Sequence, residues 1–441
     1  MNLSIDAAKI LSLVVAALIV PHLARSAEAP AITATAPERL TLPALVDDVV
    51  THNPELLFYE AELLAARGDR RTAGQFANPE LSPQVGQKRS TDPAGTLLGE
   101  GVAWSVSLNQ TFEWPGRMAL RKSIANREVS LAENGVTQFR AALVARARTL
   151  AYDLAVALQK ADATQMIADR FLALQEIAVQ RDPAGVTPLL ETRILEANSI
   201  TYRRRASEAL KETQQALLEL NLLRGQPLSA GLKISIGDLQ FKPPTRLDQL
   251  LTLARTNNFE LRQRVLELEQ QGFRVDLARN ERLPAITVSP YFTQENSAGV
   301  DRFVGVGISL PLPLWNRNKG SIESAAARES QAQTSLYVAQ RAIERRIVEF
   351  ATTYQTRLSE MSHWRADSVE RFEEAAELAD RHYRLGAVPI STYVEMQKQS
   401  LDALEALLAT RREAMESAQQ LELTVGTPLN LFTLGRGDRQ P

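Results

Sequence analysis

The chain has no cysteine, and that one absence excludes disulfides, thiolate metal sites, a cysteine nucleophile and acylation at a lipobox cysteine. Basic residues number 50 against 52 acidic ones, so there is no positive excess with which to hold nucleic acid. Only four histidines occur, one of them inside the first 29 residues, and His52, His363 and His382 are not spaced as metal ligands. No P-loop, nucleotide fingerprint or hydrolase triad signature is present, so neither an enzyme activity nor a cofactor is expected. Past residue 29, no stretch reaches the roughly 18 consecutive apolar residues of a membrane-spanning helix. Aromatic residues make up only 6% of the chain, while Ala, Leu, Glu, Arg and Gln dominate, the composition of long helices packed through small side chains.

What is present begins with a secretory signal, residues 1–29. Lys9 precedes an apolar run from Ile10 to Val20, and Ala27-Glu28-Ala29 offers a cleavage site, with a cut after Ala27 as the alternative. Residues 30–43, rich in Ala, Thr and Pro, read as an extended tether. Residues 44–228 form one structural unit: a short helical region, a β-hairpin over 80–113 and a long helix pair over 116–224. From Gly116 to Asp182 there is no proline. Val136, Phe139, Leu143, Ala147, Leu150 and Leu154 recur there at the three-and-four spacing of a seam between helices. Residues 229–244 read as a linker, with a short strand expected at Leu232 to Ile236.

The pattern then repeats over residues 245–429, with a hairpin at 285–311 and a helix pair at 318–425, before a tail at 430–441. Asn258-Phe259-Glu260-Leu261 follows Asn53-Pro54-Glu55-Leu56 by 205 residues, as Pro284 follows Pro79. Arg317 follows Arg117 by 200, and Gly426-Thr427-Pro428-Leu429 follows Gly225-Gln226-Pro227-Leu228 by 201. Offsets that hold so closely over so many elements are the mark of internal duplication.

Both copies contain strands of period-two alternation. Val102, Trp104, Val106, Leu108 and Phe112 share one face, against Ala103, Ser105, Ser107, Asn109, Thr111 and Glu113 on the other. In the second copy Val304, Val306, Ile308 and Leu310 oppose Phe303, Gly305, Gly307 and Ser309, and Ile286, Val288 and Phe292 oppose Thr287, Ser289 and Thr293. Alternation alone fits a soluble sandwich hairpin as well as a membrane barrel. Trp104, Trp114 and Trp315, in or just beyond these strands, sit where an interfacial aromatic belt would place them. Pro83 and Pro290 count against a closed sheet, because proline removes a ladder donor. Four strands cannot close a membrane barrel, so other copies must complete it; two copies would supply about eight strands and three about twelve.

The order of signal, helix, hairpin, long helix pair and repeat resembles the TolC family of outer-membrane efflux channels. So do Leu310-Pro311-Leu312-Pro313-Leu314-Trp315-Asn316-Arg317-Asn318-Lys319-Gly320 leaving the second hairpin, and Tyr383-Arg384-Leu385-Gly386 at the second helical tip. Within the family the chain looks most like the cobalt-zinc-cadmium (CzcC-like) branch. The resemblance implies a mainly α fold with membrane β: a homotrimer whose chains each give four strands to a shared 12-stranded barrel in outer-membrane lipid, above a long α-helical periplasmic tunnel. It implies a passive exit duct for heavy-metal cations, joined through a periplasmic membrane-fusion adaptor to an inner-membrane pump of the resistance-nodulation-division (RND) class.

Carried over residue by residue, the adaptor-facing tips are Asp182, Gly185 and Thr187 in the first hairpin and Tyr383, Leu385, Gly386 and Val388 in the second. The family's acidic constriction falls on Thr392 and Glu395, with Glu191 in the first repeat, so the gate is only partly acidic. The barrel-to-tunnel joints fall on Trp114, Pro115 and Arg117 and on Trp315 and Arg317. The scattered methionines read as packing residues rather than a copper relay. Glu370, Glu373, Glu374, Glu377 and Asp380 read first as a solvated helix face with Arg381 and Arg384 as partners. The rival from another class is a periplasmic coiled-coil adaptor, which would show one helical hairpin rather than two. A duct of the same fold for drugs or solvents is the other alternative.

Overall fold

The computed structural model describes residues 38–181, 189–235, 239–364 and 368–434. In the first repeat these form β1 (Glu38–Thr41), α1 (Leu42–His52), α2 (Pro54–Ala73), β2 (Glu80–Thr91), β3 (Leu97–Phe112), α3 (Arg117–Arg181) and α4 (Leu189–Leu223). Between the repeats lie β4 (Leu232–Ser235) and β5 (Leu239–Phe241). The second repeat has α5 (Leu247–Asn257), α6 (Phe259–Asn280), β6 (Ile286–Asn296), β7 (Val300–Ser309), α7 (Lys319–Ser362), α8 (Ser368–Arg384) and α9 (Ile390–Val425), and β8 (Phe432–Leu434) follows.

The proline-free stretch is one helix: α3 has 65 residues, a length of about 100 Å at 1.5 Å per residue. Its seam residues Leu143, Ala147, Leu150 and Leu154 pack with Leu45 and Val49 of α1 and Leu220 and Leu223 of α4. The second repeat builds the equivalent core from Ile343 and Ile347 of α7, Leu250 and Ala254 of α5, and Ala418, Leu421 and Val425 of α9. The long helix pairs of the two copies differ in one respect. Where α3 is continuous, its counterpart divides into α7 and α8, α7 closing with His363 and Trp364 turned back on the Glu360 and Met361 carbonyls.

The same asparagine device closes each repeat. The Asn53 side-chain oxygen accepts the Leu56 N–H at 3.1 Å, capping α2, while its amide donates to the Leu223 carbonyl at 2.8 Å. Asn258 accepts from Leu261 at 2.8 Å and donates to Thr424 at 2.6 Å. In both places a left-handed glycine ends the returning helix and lies against the clasp: a Cβ on Gly225 would meet the His52 carbonyl, and one on Gly426 the Asn257 carbonyl. Asn258→Ala therefore removes a cap and strands a buried carbonyl, at a cost of about 2 to 3 kcal/mol. Asn258→Asp keeps the cap acceptor but turns a carboxylate oxygen toward the buried Thr424 carbonyl, and is expected to cost at least as much. Denaturant midpoints of the three proteins check the order.

Strand pairing draws the chain ends into the fold. β1 pairs in parallel with β4, so the end of the stretch expected to be a tether is part of a two-stranded sheet. Phe432–Leu434, within the stretch expected to be a tail, pairs antiparallel with β5. The Tyr354 hydroxyl lies 2.7 and 2.8 Å from the Lys242 and Leu431 carbonyls beside that pair.

The main sheet has four antiparallel strands in the order β2-β3-β6-β7. The first hairpin loop is shorter than the Ser90 to Gly101 expected from its Asp, Pro and Gly content. β3 already begins at Leu97, because Asp92 takes the Ala94 and Thr96 N–H groups on its carboxylate and tightens the turn. Pro290 is accommodated by a gap: pairs of β3 with β6 run as far as Ser107↔Tyr291 and resume only at Gln110↔Val288.

Candidate functional site

The outward face of the sheet is largely apolar, with Gln294 and Arg302 its polar members toward the loops. Register aligns Pro83, Val106, Phe292 and Val304 in one row, and the next row toward the loops is Val85, Trp104, Gln294 and Arg302. Leu81 with Leu108, Pro290 with Val306 and Val288 with Ile308 extend the face the other way. Toward the β7 edge these side chains are bare, Val304 being 83% exposed and Ile308 73%, while Trp104, Val106, Val288 and Phe292 are half-buried. Among the described residues no helix is long and apolar enough to cross a membrane. From Val102 to Phe112 the apolar face runs ten steps, on the order of 25 Å in height at the tilt of a membrane barrel.

The opposite face is mostly small and polar, with Tyr291 and Phe303 its large side chains. Gln84, Ser105 and Thr293 share a row there, and Thr111 and Thr287 meet at 3.0 Å. Near the loops Lys88 reaches Glu295 at 2.5 Å and Asp301 at 3.6 Å. Tyr291 lies across Gly305, where a Cβ would come within 2.6 Å of its hydroxyl. Strands β2 and β7 stand at the edges, each with one side unpaired in the single chain.

Below the sheet, the two joints differ sharply. At the first, Gly116 takes a positive φ and turns the chain from Trp114-Pro115 into α3. Arg117 then donates to the Asn280 side chain at 3.1 Å and to the Asn280 and Leu283 carbonyls at 3.1 and 2.6 Å, and the Asn280 amide returns a bond to the Pro115 carbonyl at 3.0 Å. The second repeat is thus bolted to the first at the point where strand becomes helix. At the second joint Arg317 is exposed and Trp315 is 93% exposed, against 36% for Trp114. Asn318, in a left-handed conformation, donates to the Ala278 carbonyl at 2.8 Å. Asn280 and Asn318 were not singled out from sequence, since neither lies in a periodic pattern.

At the other end of the long helices an aromatic stack crosses four elements. Tyr383 of α8 stacks on Tyr393 of α9 at 5.3 Å, Tyr393 meets the edge of Phe171 of α3 at 5.3 Å, and Phe171 stacks on Tyr202 of α4 at 5.2 Å. The Arg205 guanidinium covers the outer end, 5.6 Å from the Tyr202 ring. Burial pushes the Tyr383, Tyr393 and Tyr202 phenols above their ordinary value, and the Glu191 carboxylate adds to the rise at Tyr383. Ion pairs join the same hairpins along their length: Asp153 with Arg412, Lys160 with Glu212 and Glu405, and Arg170 with Glu377.

Of the residues expected at a constriction, Thr392 and Glu395 lie exposed on the first turns of α9, either side of the buried Tyr393. Glu395 accepts a bond from Gln399 at 2.8 Å. Glu191 is in the first turn of α4. No hydrogen bond or ion pair joins Glu191 to Glu395 among the described residues. The second tip presents Leu385, 75% exposed, beside Gly386 at φ +75°, with Val388 half-buried. Asp182, Gly185 and Thr187 lie outside the described residues. In the acidic cluster of α8, Asp380 pairs with Arg384 at 2.8 Å. No group of three or more His, Asp or Glu residues is placed to hold a metal ion among the described residues.

A model of the outer membrane efflux protein family matches residues 250–427. The cobalt-zinc-cadmium resistance protein CzcC of Cupriavidus metallidurans is 26% identical over 305 residues, 68% of this chain and 69% of that one. The pyoverdine export outer membrane protein OpmQ of Pseudomonas aeruginosa is 23% identical over 416 residues, 87% of this chain and 85% of that one. The crystal structure of the Campylobacter jejuni CmeC outer membrane channel superposes with a TM-score of 0.73 at 15% identity, covering 87% of this chain and 85% of that one. That likeness is one of fold.

Proposed function

We propose that this chain, an outer membrane efflux protein by the domain in its second repeat and a TolC-like channel by its fold, is the passive exit duct of a tripartite efflux system and works as a homotrimer. The observation that carries the reading is the sheet: four strands with one largely apolar face, a mostly polar opposite face and two unpaired edges. Such a sheet is stable in a bilayer only when closed. Joining β7 of each copy to β2 of the next gives a ring of about twelve strands, and the long helices below it form the wall of a periplasmic tunnel.

The helical tips, with Leu385, Gly386 and Val388 at the second and Asp182, Gly185 and Thr187 at the first, are the surface for a periplasmic adaptor, and an RND-type pump behind the adaptor drives transport. Heavy-metal cations are the proposed cargo, because a cobalt-zinc-cadmium resistance protein is among the relatives. The duct is not asked to grip them, since conduction needs weak binding at entry and exit.

Glu395 is the proposed pore carboxylate, with Thr392 and Glu191 near the same end. A trimer turns one side chain into three like charges around the bore, which favours cations. In planar bilayers the protein is expected to form cation-preferring pores, and Glu395→Ala to lower the cation-to-anion permeability ratio severalfold. Failure of the unaltered protein to form pores, or its recovery in the soluble periplasmic fraction, would sink the duct. Unchanged selectivity in Glu395→Ala would reject only the assigned ring.

A further inference from the structure

The internal duplication specifies more than closure of the ring. Pro83↔Val106 in the first hairpin and Pro290↔Val306 in the second are equivalent pairs, which equates β2 with β6 at a spacing of 207 residues and β3 with β7 at 200. The contact between repeats, β3 with β6, is therefore the template for the contact between copies, β7 with β2. Trp104↔Gln294 and Val106↔Phe292 become Val304 opposite the partner subunit's Gln87, and Val306 opposite the partner subunit's Val85. The apolar face stays in register across the seam.

Extended one residue past its last pair, Ala103↔Glu295, the same register sets Arg302 against the partner subunit's Arg89. Both are exposed on the lipid side of the sheet, just above its apolar band. Arg89 is already engaged by Glu100 at 3.0 Å, and no ion pair is made by Arg302 among the described residues. Like charges directly opposite each other destabilise a sheet, and this pair lies where apolar surface gives way to headgroups. An anion between the two guanidinium groups removes the repulsion, and guanidinium forks suit phosphate in particular.

We propose that each seam of the trimer binds the phosphate of an outer-leaflet phosphorylated glycolipid between Arg302 and the partner subunit's Arg89, its acyl chains lying on the Val304, Val306 and Ile308 surface. The proposal rests on the trimeric reading above and adds a lipid site to it. Basic outward side chains at the edge of a membrane's hydrocarbon layer are where anionic headgroups are held.

Two measurements separate the premises. Because the chain has no cysteine, Val304→Cys combined with Gln87→Cys reports the seam directly, and oxidation is expected to yield a covalent trimer. Native mass spectrometry of the detergent-purified trimer, titrated with a bis-phosphorylated glucosamine disaccharide lipid, is expected to show up to three lipids per trimer. Arg302→Gln should weaken binding at least tenfold, as should enzymatic removal of the lipid's phosphates. A cross-linked trimer that binds phosphorylated and dephosphorylated lipid equally, or an Arg302→Gln trimer that binds as tightly as the unaltered protein, overturns the lipid site while leaving the trimer standing. Inorganic phosphate that fills the seam with no preference for the lipid also overturns it. Absence of the cross-link overturns the register on which the site depends.

Discussion

Arg317→Ala is expected to dissociate the trimer into folded chains, whereas Arg117→Ala is expected to destabilise the fold of a single chain. The two arginines are equivalent by the duplication, 200 residues apart, yet among the described residues Arg117 donates to Asn280 and to the Leu283 carbonyl while no such bonds are made by Arg317. The counterparts of Asn280 and Leu283, 205 residues earlier, are Gln75 and Asn78 at the foot of β2. In the proposed trimer, closure of β2 of the next copy against β7 sets those residues beside Arg317, which is exposed in the single chain together with Trp315. Hydrogen bonds from a charged donor contribute about 1.5 to 3 kcal/mol each. Losing the set costs about 3 kcal/mol per joint after allowance for partial exposure, about a hundredfold in an equilibrium constant. Light scattering across a dilution series should show Arg317→Ala dissociating at a concentration at least a hundredfold higher, with its thermal unfolding as a monomer unchanged. An Arg317→Ala protein that stays trimeric at the same dilution as the unaltered one would reject the joint as an intersubunit contact.

The parts of the architecture legible in sequence were those that repeat or alternate. Period two assigned the faces of β3 and β7 because each outward residue is surrounded by others of its kind. The duplication showed because Asn53 and Asn258, or Gly225 and Gly426, do the same mechanical work in each copy and therefore sit at nearly the same spacing. The contacts that carry no period were not legible. Strands β5 and β8 are three residues each and lie almost 200 residues apart; so short a segment has no pattern of its own, and beside the pair the Tyr354 hydroxyl reaches the Lys242 and Leu431 carbonyls. The break between α7 and α8 is marked by neither proline nor glycine at His363-Trp364. The aromatic stack at the tips takes one ring from each of four helices, so that no two of its members share a helical face in sequence. The acid cluster on α8 is a mixed case: Asp380 and Arg384 pair at the expected i,i+4 spacing, but Glu377 reaches across to Arg170 of α3, a partner that only tertiary packing supplies.

Tyr393→Ala is expected to loosen the tunnel end of the molecule, and Tyr393→Phe to leave it intact. Tyr393 is fully buried and sits in the middle of the stack, touching both Tyr383 and Phe171. Its removal detaches α8 and α9 from α3 and α4 together. Truncating a buried aromatic costs about 3 to 5 kcal/mol, enough to raise the open population of a local segment by a factor of about 10² to 10³. The hydroxyl, by contrast, makes no hydrogen bond of regular geometry among the described residues, with the Asp380 carboxylate beside it, so phenylalanine keeps the ring contacts at little cost. Titration separates the two roles again. Burial and the neighbouring Asp380 carboxylate raise the Tyr393 phenol, so the folded tip holds a proton that the unfolded chain gives up near pH ~10. The stability linked to it is complete below that pH and is lost as pH rises toward the raised value. Hydrogen exchange over residues 371–401 should therefore accelerate by about two orders of magnitude in Tyr393→Ala at neutral pH, and open-channel leak in bilayers should rise with it. Tyr393→Phe should match the unaltered protein at neutral pH and hold its protection further into the alkaline range. If Tyr393→Ala leaves exchange over that segment unchanged, the stack does not join the hairpins, and the ion pairs of Arg170, Lys160 and Arg412 must hold them alone.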